Sequence, residues 1–362
     1  MIKSIIFIVL ISLGSTSFTQ EPYSFFVAGH TYGDPGVNNP GLHPPFLAAF
    51  DSINADTSIT FGVLTGDIVS PNPIAQDWDE VDSNLATLNV PVHFAVGNHD
   101  MENRPLYESR YGDTYYSLMK GKDLCIFLDP NIDGWNISGD QLDFLKTTLS
   151  DLSEVRNIYV FMHQLIWRED DNKYAYIAVN SFVGRADEVN FWTEVEPLFH
   201  NNGHQTYFFA GDLGAGDWSS DFAYDRYDNI NFIASGMGGP FGDHYIVVNV
   251  DKWGNLSYDF ECLDSTGNFC ENDLTFYRKT TYNEDEEFWF YPNPAYENLT
   301  VELNPNESSI IKIHDLNGKI LLELTVSEVS FFRLDFNDLK NGTYILSVND
   351  SQKSMRKRFV KL

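Results

Sequence analysis

The chain is organised around four residues, Gly97-Asn98-His99-Asp100. This stretch follows the apolar run Val90 to Val96, which predicts a short buried strand ending just before the four polar residues. Open α/β sheets bind their ligands at the carboxyl ends of their strands. The stretch therefore predicts an α/β fold with a polar site at one edge of a sheet.

Three further apolar runs end in the same way, at Gly66-Asp67, at His163 and at Gly211-Asp212. Asp, Asn and His are the side chains that bind hard or borderline divalent cations. Because four such endings follow one another in order, we expect them to meet at one metal site.

The first residues predict a secretory signal peptide over 1–20. Lys3 precedes the apolar run Ile5 to Leu13, and small and polar residues follow. The run is too short to span a bilayer as a helix, and a buried terminal strand or helix is the alternative. We expect a mature chain outside the cytoplasm with no transmembrane segment.

Composition excludes some partners. The 362 residues carry a formal net charge of -29, so nucleic acid and anionic membrane surfaces would be repelled. A phosphate substrate is not excluded, because a bound cation reverses the local field. A disulfide between Cys262 and Cys270 is plausible in an exported protein, whereas Cys125 lies in an apolar run and predicts a buried free thiol.

Strands alternate with helical patterns from Glu21 to about Phe260, which predicts two packed sheets with helices outside them. Within this region we expect a helix over Ile74 to Leu88 and a polar loop over Met101 to Asp113.

An insertion from Trp167 to Asp187 fits neither a strand nor a helix pattern. Trp167, Tyr174 and Tyr176 in it are candidates for lining a sugar-binding cleft, with core packing as the alternative.

The four ordered endings resemble the calcineurin-like metallophosphoesterases, relatives of the purple acid phosphatases. Asp113 to Ser117, Phe127 to Asp129 and the Gly238-Gly239 turn add to the resemblance, which covers about Phe25 to Phe260. It implies a four-layer αββα sandwich and a hydrolase in which a metal-activated water attacks a phosphate ester.

The resemblance also implies roles for single residues. Asp67 would bridge two metals, and Asn98 and His163 would ligate one of them. His99 would contact the phosphate and help the leaving group, with Asp100 holding its orientation. The alternatives without a role in catalysis are that Asp67 and Asn98 are turn residues and that His163 is a hydrogen-bonded histidine of the core.

The chain departs from the family pattern at both ends. Ala28 stands where the first Asp belongs, which leaves His30 as a ligand, a substrate contact or a loop cap. Asp212 stands where the first histidine of the last motif belongs, and it is a ligand or only a turn residue. One metal position thus keeps the candidates Asp67, Asn98, His163 and Asp212, and the other keeps only His30 and Asp67. Possible compensating ligands are Asp34, His43, Asp217 and His244. We expect one or two divalent ions per chain, and the oxygen-rich ligands favour Mn, Fe, Mg or Ca over Zn.

The last 75 residues predict a small all-β sandwich. An acidic linker, Glu284 to Glu287, precedes short alternating strands. Tyr-Pro-Asn-Pro-Ala at 291–295, Asp-Leu-Asn-Gly-Lys at 315–319, Asn-Gly-Thr-Tyr at 341–344 and a basic end closely resemble the C-terminal sorting domain of type IX secretion cargo in Bacteroidetes. An adhesive or carbohydrate-binding sandwich is the alternative. The resemblance implies passage through the periplasm and across the outer membrane by that secretion machinery.

The sequence thus predicts a signal peptide (1–20), a metallophosphoesterase domain (21–262), a connecting segment with an acidic linker (263–287) and a sorting domain (288–362). The first hypothesis is a secreted phosphoesterase that hydrolyses a phosphate mono- or diester with one well-held metal. The alternative is a catalytically inactive protein that binds an extracellular glycan or phosphate ligand.

Overall fold

The computed structural model describes two parts of the chain. The first comprises residues 20–263 except 38, 217, 240 and 241; the second comprises 288–291, 298–303, 309–315, 318–326, 331–336, 339–340, 342–349 and 354–361. The predicted signal peptide and connecting segment lie outside the described residues, apart from residues 20 and 263. Within the described parts, no helix is long and apolar enough to cross a membrane.

The strands of the first part are β1 (Tyr23–Ala28), β2 (Ile59–Thr65), β3 (Val92–Ala95), β4 (Tyr116–Lys120), β5 (Asp123–Phe127), β6 (Asn157–Phe161), β7 (Gln205–Ala210), β8 (Phe222–Tyr227), β9 (Ile230–Ser235), β10 (His244–Val250) and β11 (Leu256–Cys262). Its α-helices are α1 (Pro44–Ala48), α2 (Phe50–Ala55), α3 (Ala75–Leu85), α4 (Asn98–Met101), α5 (Arg104–Tyr111), α6 (Gly139–Thr148) and α7 (Glu196–His200). A 3₁₀ turn covers Pro130–Ile132, and a π-helical turn, Phe191–Val195, leads into α7.

These strands form two sheets, with the orders β11-β10-β1-β2-β3 and β4-β5-β6-β7-β9-β8. The strands β1, β2 and β3 are parallel, as are β5, β6, β7 and β9. The polar stretches therefore follow parallel strands, which end at the same edge of each sheet.

Alternating side chains build three apolar layers. Phe25 faces the other sheet and stacks on Phe61 with ring centroids 4.7 Å apart, whereas the next residue, Phe26, packs on the helix side. In β6, Phe161 faces the first sheet and Val160 faces the opposite layer. Strands buried on both faces read as continuous apolar runs, as in the sequence. The expected four-layer αββα sandwich is confirmed.

The predicted helix over Ile74 to Leu88 is confirmed as α3, which buries Trp78 and Val81. The predicted polar loop over Met101 to Asp113 is wrong, because α5 occupies most of it. That helix buries only Tyr107, so its sequence lacks the apolar stripe by which we recognise helices.

The C-terminal part contains β12 (Phe288–Tyr291), β13 (Asn298–Leu303), β14 (Ser309–His314), β15 (Ile320–Val326), β16 (Phe331–Asp335), β17 (Gly342–Asn349) and β18 (Ser354–Lys361). They form a three-stranded sheet, β12-β13-β16, and a four-stranded sheet, β15-β14-β17-β18. Leu299, Ile311 and Leu346 belong to their common apolar core, as the prediction of a small all-β domain requires.

The cysteines follow the sequence prediction as far as the structure describes them. Cys125 is a buried free thiol. Cys262, at the end of β11, is disulfide-bonded, and its predicted partner Cys270 lies outside the described residues.

A buried ion pair ties the two sheets together at the end opposite the polar stretches. Asp123, at the start of β5, is fully buried and accepts hydrogen bonds from Arg156 Nε (2.9 Å) and Arg156 Nη2 (2.5 Å). It also accepts one from the hydroxyl of Tyr23 in β1 (2.6 Å).

We expect Asp123→Ala to lower the free energy of unfolding by about 3–5 kcal/mol, because it leaves a mostly buried guanidinium unpaired. Urea unfolding monitored by circular dichroism measures the loss, and Asp187→Ala, at an exposed position, is the control. A loss under about 1 kcal/mol, typical of a surface pair, would show that Arg156 is solvated without its partner.

Candidate metal and phosphate site

The ends of three strands are joined by hydrogen bonds where the polar stretches lie. The Nδ1–H of His163, after β6, donates to the carbonyl of Thr65 in β2 (2.8 Å). The backbone N–H groups of Gly211 and Asp212, after β7, donate to the carbonyl of His163 (2.9 and 3.0 Å). The two sheets are therefore connected directly beneath the site.

Glycine is required at these strand ends because there is no room for a Cβ. A Cβ on Gly66 would lie 2.6 Å from Nδ1 of His163, and one on Gly211 would lie 2.0 Å from the Thr65 carbonyl oxygen. A Cβ on Gly97 would lie 2.2 Å from Oδ1 of Asp67. The glycines of the motifs thus let the segments approach closely enough for the polar side chains to meet.

Asp67 is the centre of the cluster. Its Oδ2 lies 3.3 Å from His163 Nε2, 3.5 Å from His99 Nδ1 and 3.9 Å from His30 Nε2. Its Oδ1 accepts the backbone N–H of His99 at 3.0 Å. Asp67 and His30 both adopt the left-handed region, with φ of 47° and 53°, a conformation that is uncommon for residues other than glycine.

Burial and mutual charge set the protonation of this cluster. Burial raises the pKa of Asp67, but His163, His99 and His30 outweigh it and hold the pKa well below its usual value. Burial lowers the pKa of His30 to about 4 despite Asp67, so this imidazole is neutral at pH 7. Burial also opposes protonation of His163, yet Asp67 and Asp212 raise its pKa to about 10.

Asp212 is fully buried, and neither of its carboxylate oxygens has a hydrogen-bond partner that meets normal geometry. Its Oδ1 lies 3.7 Å from Nε2 of His163, which is likewise unpaired. Burial raises the pKa of Asp212 well above its usual range, His163 opposes the shift, and Asp67 adds to it. A buried polar atom without a partner costs about 1–3 kcal/mol, so these atoms have the chemistry to bind a cation.

Asn98 and Asp100 lie in the short helix α4, next to Asp67. Asn98 is the first residue of α4, between Gly97 and His99, which both contact Asp67. The sequence predicted that Asp100 orients His99, and the structure contradicts this prediction. Its two oxygens accept the backbone N–H groups of Gly97, Ile68 and Val69 (2.8–3.2 Å), so it holds the loop instead.

Three of the four possible compensating ligands do not join the cluster. Asp34 accepts the N–H of Gly36 in its own turn, and His43 pairs with Asp243 at 2.9 Å. His244 donates Nδ1–H to the Gly242 carbonyl and packs between two phenylalanine rings. Asp217 lies outside the described residues.

Two residues that the sequence did not single out contact the site. Tyr32 packs against the rings of His30 and His99. Asn180, in the insertion, donates its backbone N–H to the Asp212 carbonyl (3.0 Å) and its Nδ2 to that of Leu213 (2.9 Å). For these two residues the sequence offered one signal of proximity to the site, which is that Tyr32 lies two positions after His30.

Two of the three aromatic candidates in the insertion pack in the core and do not line a cleft. Trp167 and Tyr174 are 1% and 2% exposed and belong to the apolar layer outside the second sheet, so the sugar-cleft hypothesis is wrong for both. Tyr176 is 61% exposed. The Asn180 contacts show that the insertion also fixes the loop that carries Asp212.

Three buried side chains of the cluster approach one another closely. His163 Nε2 lies 3.3 Å from Asp67 Oδ2 and 3.7 Å from Asp212 Oδ1, whereas atoms that ligate the same ion at about 2.1 Å lie about 3 Å apart. Among the described residues, no group of three or more His, Cys, Asp and Glu side chains is placed so that it could hold a metal ion. Ala28, which stands in place of the family's Asp, is buried in the apolar layer and offers no donor.

A family model described as calcineurin-like phosphoesterase matches residues 30–236, more than half of the chain. The chain belongs to the calcineurin-like phosphoesterase family. A second model, secretion system C-terminal sorting domain, matches residues 289–362. The sorting domain indicates export of this phosphoesterase-family chain to the cell surface or the extracellular space.

Solved structures resemble the chain only weakly. A purple acid phosphatase from yellow lupin (Lupinus luteus) seeds is 13% identical with a TM-score of 0.45; the match covers 85% of this chain and 54% of that one. A putative 5'-nucleotidase from Staphylococcus aureus is 16% identical with a TM-score of 0.38, covering 76% and 61%. The chain thus spans about half the length of the lupin enzyme. No curated protein matches it.

We expect Asn180→Ala to weaken divalent-cation binding by about tenfold, because such supporting contacts orient the ligand loop. Isothermal titration with Mn²⁺ measures the affinity, and exposed Asn201→Ala is the matched control. Unchanged affinity in Asn180→Ala would mean that the loop holds Asp212 without the insertion.

Buried His244 predicts a pH dependence of stability. Burial lowers its pKa, so the unfolded chain binds its proton more readily, and stability falls as pH drops below about 6.5. We expect His244→Phe to reduce the loss of unfolding free energy between pH 7 and pH 5 in urea titrations. His204→Gln is the control, and equal pH slopes in wild type and His244→Phe would contradict the prediction.

Proposed function

We propose that the exported chain is a metal-dependent phosphoesterase that hydrolyses a phosphate mono- or diester at the Asp67 cluster. The observation that carries this proposal is the buried meeting of Asp67, His163 and Asp212 from three separate strand ends, with Nε2 of His163 and both carboxylate oxygens of Asp212 unpaired. A core histidine or a turn aspartate has no need to leave such atoms unpaired.

In this proposal Asp67, Asn98, His163 and Asp212 hold one divalent cation. The Nδ1–H bond of His163 to Thr65 leaves Nε2 facing Asp67 and Asp212, and the raised pKa means that a cation must displace a proton there. A bound divalent cation supplies an acidified water and neutralises phosphoryl charge. The oxygen-rich ligands favour Mn, Fe, Mg or Ca over Zn.

His99 is the group that meets the substrate. Its side chain is 19% exposed, against 3% or less for Asp67, His30, His163 and Asp212. Its backbone N–H is fixed on Asp67, which leaves the imidazole free to give a proton to the leaving oxygen. His30 is neutral, donates Nδ1–H to the Met237 carbonyl (2.8 Å) and presents Nε2 to the site.

The second candidate function is an inactive protein that binds an extracellular glycan or phosphate ligand. It is favoured by the missing donors of the second metal position. Ala28 is apolar. Gly214 stands where the last motif of the resembled family, Gly-His-x-His, has its second histidine; it has φ of 78° and no room for a Cβ, which would lie 2.4 Å from the backbone of Gly236.

We expect Asp67→Asn to lose most bound Mn²⁺ and to lower turnover of p-nitrophenyl phosphate and bis(p-nitrophenyl) phosphate by about 100-fold or more. Metal analysis of the purified protein and initial rates are the measurements, and exposed Asp143→Asn is the control.

Metal binding without turnover in the wild type would favour the second candidate. Equal metal content and equal turnover in wild type and Asp67→Asn would overturn the proposed site.

A further inference from the structure

Tyr32 lies against the two histidines on the exposed side of the site. Its ring centroid is 4.4 Å from that of His30 and 5.3 Å from that of His99. Its backbone N–H donates to the Asp67 carbonyl (3.2 Å), which fixes the residue relative to the centre of the cluster. Tyr32 is 2% exposed, so nearly all of it is packed.

The hydroxyl of Tyr32 has no hydrogen-bond partner among the described residues. Its oxygen is not one of the buried side-chain atoms that lack a partner, so it is the part of this mostly packed residue that solvent reaches. The hydroxyl can therefore donate to a group that arrives from outside.

The contacts of the ring and of the backbone place Tyr32 beside Asp67, His30 and His99. A phenol is protonated at neutral pH, so its hydroxyl can donate a hydrogen bond to an incoming anion.

A phosphate at this site needs such donors. The ion pairs of Asp67 and Asp212 in the described part of the chain are all with histidines, and neither carboxylate pairs with a lysine or arginine. Neutral donors must therefore share the charge of a bound phosphoryl group with His99 and the cation.

We propose that the Tyr32 hydroxyl donates a hydrogen bond to a non-bridging oxygen of the phosphoryl group, between His30 and His99. The proposal rests on the proposed function, because it names a further substrate-binding residue of the same site.

The test is isothermal titration of inorganic phosphate into Mn²⁺-loaded wild type and Tyr32→Phe. The substitution keeps the ring packing on His30 and His99 and removes only the donor, so we expect phosphate affinity to fall about tenfold. Metal content and the urea unfolding midpoint should stay at wild-type values. Tyr245→Phe, which removes the hydroxyl of a tyrosine whose ring packs next to Phe26 and Phe46 in the helix-side layer, should leave phosphate affinity unchanged.

Equal phosphate affinity in wild type and Tyr32→Phe, with wild type active on aryl phosphates, would overturn this inference and leave the proposed function standing. Loss of metal from Tyr32→Phe would also overturn it, because it would assign the residue a structural role. A metal-loaded wild type that neither binds phosphate nor hydrolyses an ester would overturn both.

Discussion

The site depends on how closely the two sheets approach at the carboxyl ends of their parallel strands. Gly66 and Gly211 face His163 and Thr65 across gaps that leave no space for a Cβ. At such gaps the backbone makes the contacts, and the side chain of the following residue is directed into the same buried space. The recurring Gly-Asp endings are therefore a packing requirement, and collecting carboxylates at one place is its chemical consequence.

Collecting buried carboxylates has an electrostatic cost that the histidines offset. Asp67 stays ionised because three imidazoles surround its Oδ2, and His163 takes up a proton because Asp67 and Asp212 flank it. The proton on His163 and a divalent cation would occupy the same unpaired atoms in turn. Under the proposed function, cation binding would therefore be an exchange for a proton.

The local sequence pattern was enough to predict the strands and the polar residues at their ends, but not the contacts between distant segments. The apolar runs before Asp67, His99 and His163 identified the strands, and their parallel order was enough to expect one shared site. The sequence did not predict the helix α5 because too few of its residues are buried to give apolar residues at helical spacing. The partners of Asp100 and the contact between Asn180 and the Asp212 loop depend on segments distant in sequence, which no local pattern encodes.

The second set of metal donors is missing because of the packing at those positions as well as because the residues themselves differ. Ala28 is part of the apolar layer behind the first sheet, and the backbone at Gly214 lies against Gly236, so a longer side chain at that position requires the strand ends to move apart. The charge that a second cation would neutralise must then be met by groups already present. Under the function and the contact proposed above, His99 and the phenol of Tyr32 would be such groups. Among the described residues the carboxylates of the cluster pair with histidines and with no lysine or arginine, so these groups would share the phosphoryl charge with the cation.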